Sequence, residues 1–267
     1  MCIRDRTAAV LALAESGGVT PDGFAVAQAA SSLLSLAVIS LIWRLTPPSP
    51  GGSNSVERVA ARAGSLHYLG ILQLLSIGTA QLPIVLAPSL VSPDSVASFI
   101  VAFRVASLVT TVQNALSGYY GPRYARSFAR SDRSAIAHLL RSSQLVAAVL
   151  CAPVVLVIPW AGALLSLFGE TYADANIAYA ILAVGQFINA VTGLVSYVLS
   201  LSHREKTLTY VNLASLLVLI VGWGAMWLFN STSLTIYCIV FSIYLIAKNV
   251  VNYVLARRVI RSMPEPQ

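Results

Sequence analysis

Residues 211–261 read VNLASLLVLIVGWGAMWLFNSTSLTIYCIVFSIYLIAKNVVNYVLARRVIR. Residues 211–229 carry no charge, 230–233 are small and polar, and 234–255 are apolar again save for Lys248. At 1.5 Å per residue each apolar run is about as long as the ~30 Å hydrocarbon core of a bilayer is thick. Four residues between them permit only a tight helical hairpin. The arginines 257, 258 and 261 follow once the second run is complete. The stretch therefore reads as two membrane spans returning to a basic flank, and the rest of the chain repeats that reading.

Further apolar runs occupy residues 24–45, 66–90, 96–120, 145–168 and 175–201, and a short one, too short to span, occupies 7–14. The expected fold is all-α: a polytopic membrane helix bundle of seven full transmembrane helices plus a partial one. Composition agrees. Of 267 residues 57% are hydrophobic and only 10% charged, with mean hydropathy +0.77. Soluble domains carry about 25% charged residues, so a water-soluble enzyme is excluded. Disorder is excluded as well, since it requires low hydrophobicity and high charge.

The net charge of +7 has a membrane explanation. Arg58 and Arg62 fall between the first two full spans, with Arg44 just before them. Residues 122–144 hold Arg123, Arg126, Arg130, Arg133 and Arg141. Arg204 and Lys206 follow the fifth full span, and Arg257, Arg258 and Arg261 lie in the tail. The alternate connectors, 92–95, 169–174 and 230–233, contain Asp94, Glu170 and Asp174 but no Lys or Arg. Basic and non-basic connectors alternate without a violation. The positive-inside rule then predicts a multi-pass protein of the cytoplasmic membrane with a cytoplasmic C-terminus. The same placement explains the basic loops without a nucleic-acid partner. Residues 124–140, with Phe128, Ile136, Leu139 and Leu140 among arginines, are expected to form an amphipathic helix on the inner leaflet.

Residues 46–55, TPPSPGGSNS, form the one linker-like run. They suggest an organisation in which 7–45 close one bundle, 46–64 link, and 65–261 form a second bundle of six helices. Residues 1–6, MCIRDR, match neither a signal peptide nor a span and read as a non-native leader. Cys2, Cys151 and Cys238 make neither metal spacing nor a disulfide framework.

No HExxH, Walker loop, GxSxG or CxxC occurs, so no cofactor and no metal is expected. The chemistry available is the polar residues inside the spans. Arg104, Ser107, Thr111, Asn114 and Gly118 recur at helical spacing on one face. Gln186, Asn189, Gly193 and Ser196 make a second stripe, and Tyr237, Tyr244, Lys248 and Asn252 a third. Three such faces are explained by a shared water-filled cavity, which Gln73 and Gln81 could join. Plainer readings exist for each. Arg104 could snorkel or pair with Asp94 or Glu170. Gln186 and Asn189 could hydrogen-bond between helices. Gly118, Gly185 and Gly193 read as packing positions. Lys248 lies ~20 Å from the outer end of its span and ~13 Å from Arg257, too deep for easy snorkelling. With Arg104 and Lys248 the cavity is basic, and a phosphate or diphosphate is its natural ligand. No Asp or Glu, the usual carrier of a coupling proton or sodium ion, lies inside a span.

Several strings carry a family resemblance: ASFIVAFRVASLVTTVQNAL (97–116), FARSDRSAIAHLLRSS (128–143), LLSLFGETYADA (164–175) and VGQFINAVTGLVSYVLSLSHREK (184–206). Together they resemble polysaccharide-biosynthesis flippases of the multidrug/oligosaccharidyl-lipid/polysaccharide (MOP) superfamily, over about residues 64–260. The resemblance implies two bundles around a central cavity and alternating access. Residues 65–261 would be the C-terminal lobe, and most of the N-terminal lobe would be missing, leaving the fragment inactive alone. It also implies transport of a lipid-diphosphate-linked oligosaccharide for cell-surface polysaccharide, with Arg104 at the position of the family's third-span arginine. Arg104 and Lys248 would then attract the diphosphate, and Asn114, Gln186, Asn189 and Asn252 would meet sugar hydroxyls. The expected partners are that glycolipid, membrane lipids, the N-terminal lobe, and glycan polymerases or glycosyltransferases. The alternatives are a cation antiporter of the related multidrug and toxin extrusion family, a membrane enzyme of glycan assembly, and a silent assembly subunit. The basic stripe disfavours the first. The short outer connectors, and His67, His138 and His203 on the inner flank, disfavour the second.

Overall fold

A computed structural model of the chain describes residues 55–202 and 204–263. The expected leader, the partial helix 7–14, the span 24–45 and the first part of the linker lie outside the described residues. Two compact units divide the chain, 1–59 and 60–267. Of the first, only the opening turns of the first helix are described.

The second unit is a bundle of helices. Helix α1 (Ser55–Leu90) includes residues 55–64 and runs on through Pro83 and Pro88, both tolerable in a membrane helix whose freed carbonyls find other donors. Then come α2 (Pro93–Ala106), α3 (Val109–Ala129) and α4 (Arg133–Leu156). A 3₁₀ turn, Ile158–Trp160, leads into the short α5 (Ala161–Ser166), and a second, Glu170–Ala175, into α6 (Asn176–Thr192). The bundle closes with α7 (Val195–Leu201), α8 (Glu205–Leu228) and α9 (Leu234–Ser262). Among the described residues six spans are long and apolar enough to cross a membrane: Gly70–Leu90, Ser95–Ala129, Arg133–Ser166, Glu170–Thr192, Glu205–Leu228 and Leu234–Ser262. The protein is thus an all-α polytopic membrane bundle.

The turns follow from local chemistry. Pro93 opens α2 at a position that needs no amide hydrogen. Gly169 takes φ 140°, which only glycine adopts without strain. Ser131 turns left-handed (φ 52°) between α3 and α4. Asp132 then caps α4, accepting from the Ala135 amide at 2.9 Å and the Ser134 hydroxyl at 2.8 Å. These hydrogen bonds hold the carboxyl below the usual carboxylate range, the Ala135 amide most of all. This corner corrects the expected interfacial helix over 124–140. Tyr124 ends up fully buried on α3, Ile136 fully buried on α4, and the chain reverses between them. The apolar residues that suggested a membrane-surface face pack on each other instead.

Two expected spans are interrupted. The third breaks at Ser107–Leu108, and the fifth at Gly193–Leu194. At each break hydroxyls bond back to nearby carbonyls: Ser107 to Arg104 (3.0 Å), Thr110 to Ser107 (2.7 Å), Thr192 to Ile188 (2.6 Å) and Ser196 to Gly193 (2.8 Å). Such bonds compete with the helical ladder.

Packing sorts into two apolar layers. One holds Phe99, Tyr179, Trp223, Tyr237 and Phe241. There the Trp223 and Tyr237 rings stack at 4.8 Å and Phe99 meets Tyr237 edge-on at 5.2 Å. The Tyr237 hydroxyl donates to the Pro83 carbonyl at 2.6 Å. The other layer holds Tyr124, Ile136, Leu140, Val198, Leu199, Ala256 and Ile260. Between them lies a thin apolar patch of Val109, Cys151 and Ala190. Leu145, Val149, Leu217, Val221, Ile243 and many other large apolar side chains face outward, as lipid solvation allows. Tyr237 and Tyr244 are 0% and 2% exposed. They belong to the aromatic core, which corrects their expected place on a cavity wall. Alternate tyrosine spacing on one helix cannot tell a wet face from an aromatic seam.

Candidate functional site

The second helix break packs against α3. Gly193, at the end of α6, lies under the amide of Gln113 on α3, and a Cβ at 193 would overlap that amide. Gly185, about two turns earlier, meets Ser242 of α9: a Cβ there would stand 2.8 Å from Oγ and 3.1 Å from Cα. Both glycines are the close-packing positions that their sequence context predicts. Gly118 is not; nothing described lies within 4 Å of where its Cβ would be.

Around these contacts the middle of the bundle is polar. The Asn249 amide donates to Asn189 Oδ1 at 2.9 Å and to the Leu245 carbonyl at 2.8 Å. Asn189 in turn donates to Gln186 Oε1 at 3.5 Å. Gln186, Asn249 and Asn252 are buried, at 4%, 4% and 6% exposed. This amide clasp joins α6 to α9. Asn249 was not singled out in the sequence, because the stripe through Tyr244, Lys248 and Asn252 passes beside it. An Asn flanked by Lys248 was the available signal. The Asn252 Oδ1 is buried with no hydrogen-bond partner, so an acceptor stands unused in this layer. Lys248 is half-buried, its Nζ 5.3 Å from the Tyr244 ring centroid, a cation–π distance.

The α2–α3 stripe lies elsewhere. Arg104, Thr111, Asn114 and Gly118 are all exposed, and Ser107 partly so. They form an open polar row beside the break at 107–108. An arginine in mid-span cannot face acyl chains cheaply, so the row calls for water, a ligand or protein. The structure therefore arranges the six expected site residues in two groups: Arg104 and Asn114 on an open face, and Gln186, Asn189 and Asn252, with Lys248 beside them, in the polar mid-layer between α6 and α9. Among the described residues no three His, Cys, Asp or Glu side chains cluster as a metal ion would need.

The arginine-rich ends gather at one end of the bundle. Arg123 and Arg126 of α3 and Arg130 just after it line a hollow of about 670 Å³ with Ser134 and His138 of α4. The Arg123 guanidinium lies 3.3 Å from the Tyr119 ring centroid, and its Nη1 is buried without a hydrogen-bond partner. Arg133 and Arg141 of α4 share a second hollow with Arg257 and Arg261 of α9. The α3–α4 corner and the C-terminal helix end therefore lie on one flank, as the charge alternation predicts.

Neither a curated protein nor a solved structure matches the chain. The MatE family matches residues 71–223, more than half of the chain. That region contains Arg104, Asn114, Gln186 and Asn189 and stops before Lys248 and Asn252. With its six apolar spans and this match, the chain belongs to the MatE family and so to the MOP superfamily of membrane transporters.

Proposed function

We propose that the protein carries a lipid-diphosphate-linked oligosaccharide across the cytoplasmic membrane for cell-surface polysaccharide, as one lobe of an alternating-access flippase, with its basic flank and C-terminus cytoplasmic. The observation that carries this reading is the open row of Arg104, Thr111 and Asn114 in the middle of a membrane span. A guanidinium in low dielectric favours an oxyanion, and its planar fork suits phosphate oxygens. Asn114 supplies the donor and acceptor pair that a sugar hydroxyl takes. Lys248 adds a second cation, and Asn252 an unused acceptor. The clasp of Gln186, Asn189 and Asn249 holds α6 against α9 behind that face, so the lobe can move as a unit against its counterpart.

Membership in the family is equally consistent with an antiporter for drugs or metabolites. A cation cargo would want carboxylates beside its aromatic faces, and no Asp or Glu lies inside the apolar runs; Tyr237 and Tyr244 are sealed in the core, and the open Tyr119 ring already lies under the Arg123 guanidinium. The test is replacement of Arg104 or Lys248 by Ala in a strain that depends on the protein for surface polysaccharide. Both variants are expected to lower polysaccharide while membrane abundance stays constant. Normal polysaccharide in both would remove the anion site. Lost resistance to cationic drugs with intact polysaccharide would establish the antiporter instead.

A further inference from the structure

The second basic hollow has a shape that the cargo reading does not use. It lies between α4 and α9, which are far apart in sequence. Arg133 and Arg141 line one wall and Arg257 and Arg261 the other, with Gln144 and Tyr253 below them. Its volume is about 230 Å³ and no acidic side chain lines it. Arg141, Arg257 and Arg261 are exposed, and Arg257 lies 5.1 Å from the Tyr253 ring centroid.

The surface below the hollow indicates what fills it. From Arg141, one and two turns deeper along α4, come Leu145 and Val149, at 67% and 65% exposed. From Arg257, one and two turns deeper along α9, come Val254 and Val250, at 44% and 50% exposed. At 1.5 Å per residue these side chains lie roughly 5–12 Å below the arginines. A cationic cradle thus sits at the head of two apolar tracks on the lipid-facing surface. A soluble anion would use the cradle and leave the tracks bare. A two-chain phospholipid uses both. We infer that this groove binds the headgroup of an anionic phospholipid, with the phosphodiester among Arg141, Arg257 and Arg261 and the acyl chains along Leu145–Val149 and Val250–Val254. Basic pockets between membrane helices commonly take such headgroups. The inference does not depend on what the transporter carries.

The test is native mass spectrometry of the purified full chain released from mixed phosphatidylglycerol and phosphatidylcholine micelles. The expected result is selective retention of phosphatidylglycerol. A basic residue near an anionic surface is worth roughly a fivefold gain in affinity, so Arg141→Gln/Arg257→Gln/Arg261→Gln should weaken retention about a hundredfold. Arg126→Gln/Arg130→Gln, outside the groove, should leave it intact. Arg261→Gln alone, in the exposed last turn of α9, should weaken retention severalfold without loss of helical circular dichroism, which separates binding from folding. Leu145→Asn/Val149→Asn should also weaken it. Equal losses in the groove and control variants would mean diffuse attraction and overturn the inference. Displacement by inorganic phosphate or glycerol phosphate, or indifference to the Leu145 and Val149 changes, would assign the hollow to a soluble anion and overturn it too.

Discussion

Replacing Gly185 by Ala tests the most intimate contact in the bundle. The new methyl would stand 2.8 Å from Ser242 Oγ, 2.9 Å from its Cβ and 3.1 Å from its Cα. Comfortable carbon contacts begin near 3.5–4.0 Å. The hydroxyl could rotate away at the cost of its 3.0 Å bond to the Ile181 carbonyl, but the Cα cannot. Helices α6 and α9 must therefore part by roughly 0.4–0.9 Å to restore contact distance. Overpacking of this kind costs about 1–3 kcal/mol, and the contact to a backbone atom argues for the upper half of that range. Alanine returns about 1 kcal/mol in helix propensity. The net loss is about 1–2 kcal/mol, or an apparent Tm about 2–8 °C lower at this chain length. The assay is thermal unfolding of the detergent-purified protein followed by fluorescence-detected gel filtration. Ser242→Gly should recover part of the loss in the double variant, since it removes two of the three close atoms. A Gly185→Ala variant as stable as the parent, or more stable by the propensity term, would refute the close approach of α6 and α9 and with it the amide clasp alongside.

The clasp itself predicts coupling. A double-mutant cycle on Asn189→Ala and Asn249→Ala should give about 0.6 kcal/mol and no more than about 1.7, the range for hydrogen bonds between membrane helices; zero coupling would mean that the two amides do not meet. At the α3–α4 corner, Asp132→Ala should speed hydrogen exchange in the first turn of α4, and Asp132→Asn should do so less. Because the folded carboxyl lies below its ordinary range, its contribution is present above the unfolded value and disappears as pH falls through the folded one. Protection of that turn, taken against the intrinsic exchange rate at each pH, should therefore fall on acidification in the parent and stay flat in Asp132→Asn. For topology, cysteines placed at Ser131 and at Asn230 in a Cys2→Ser background should label from opposite sides of the membrane, Ser131→Cys from the cytoplasm. Cys151 and Cys238, both buried, should stay unreactive until the protein is unfolded.

The polar mid-layer gives the site its character. Among the described residues two apolar clusters, one around Trp223 and Tyr237 and one around Tyr124 and Ile136, are joined by a smaller patch of Val109, Cys151 and Ala190 with Val112, Val154 and Phe187 packed on it. The break at 193–194 and the amides of Gln186, Asn189, Asn249 and Asn252 belong to the same region, whereas the break at 107–108 adjoins the open row of Arg104 and Asn114. A transporter needs strength at the ends of its lobe and adaptability where cargo passes, and discontinuous helices near mid-membrane are a recurrent means to that.

Sequence alone determined the membrane class, the six described spans, the single basic flank and the packing glycines at 185 and 193. Those properties are one-dimensional: apolar length is set by bilayer thickness, and charge sorting by the side on which each connector lies. Tertiary structure decided which polar stripe is open and which is closed. Arg104 and Gln186 lie on equally polar helical faces, yet one faces outward and the other bonds within the bundle, because only the neighbour opposite determines whether an amide or guanidinium finds a partner. The same reason hid Asn249, whose partner Asn189 is sixty residues away. It sealed Tyr237 and Tyr244 in the core, and it turned the 124–140 stretch from an expected surface helix into a corner, where burying Tyr124 against Ile136 won over floating both on lipid.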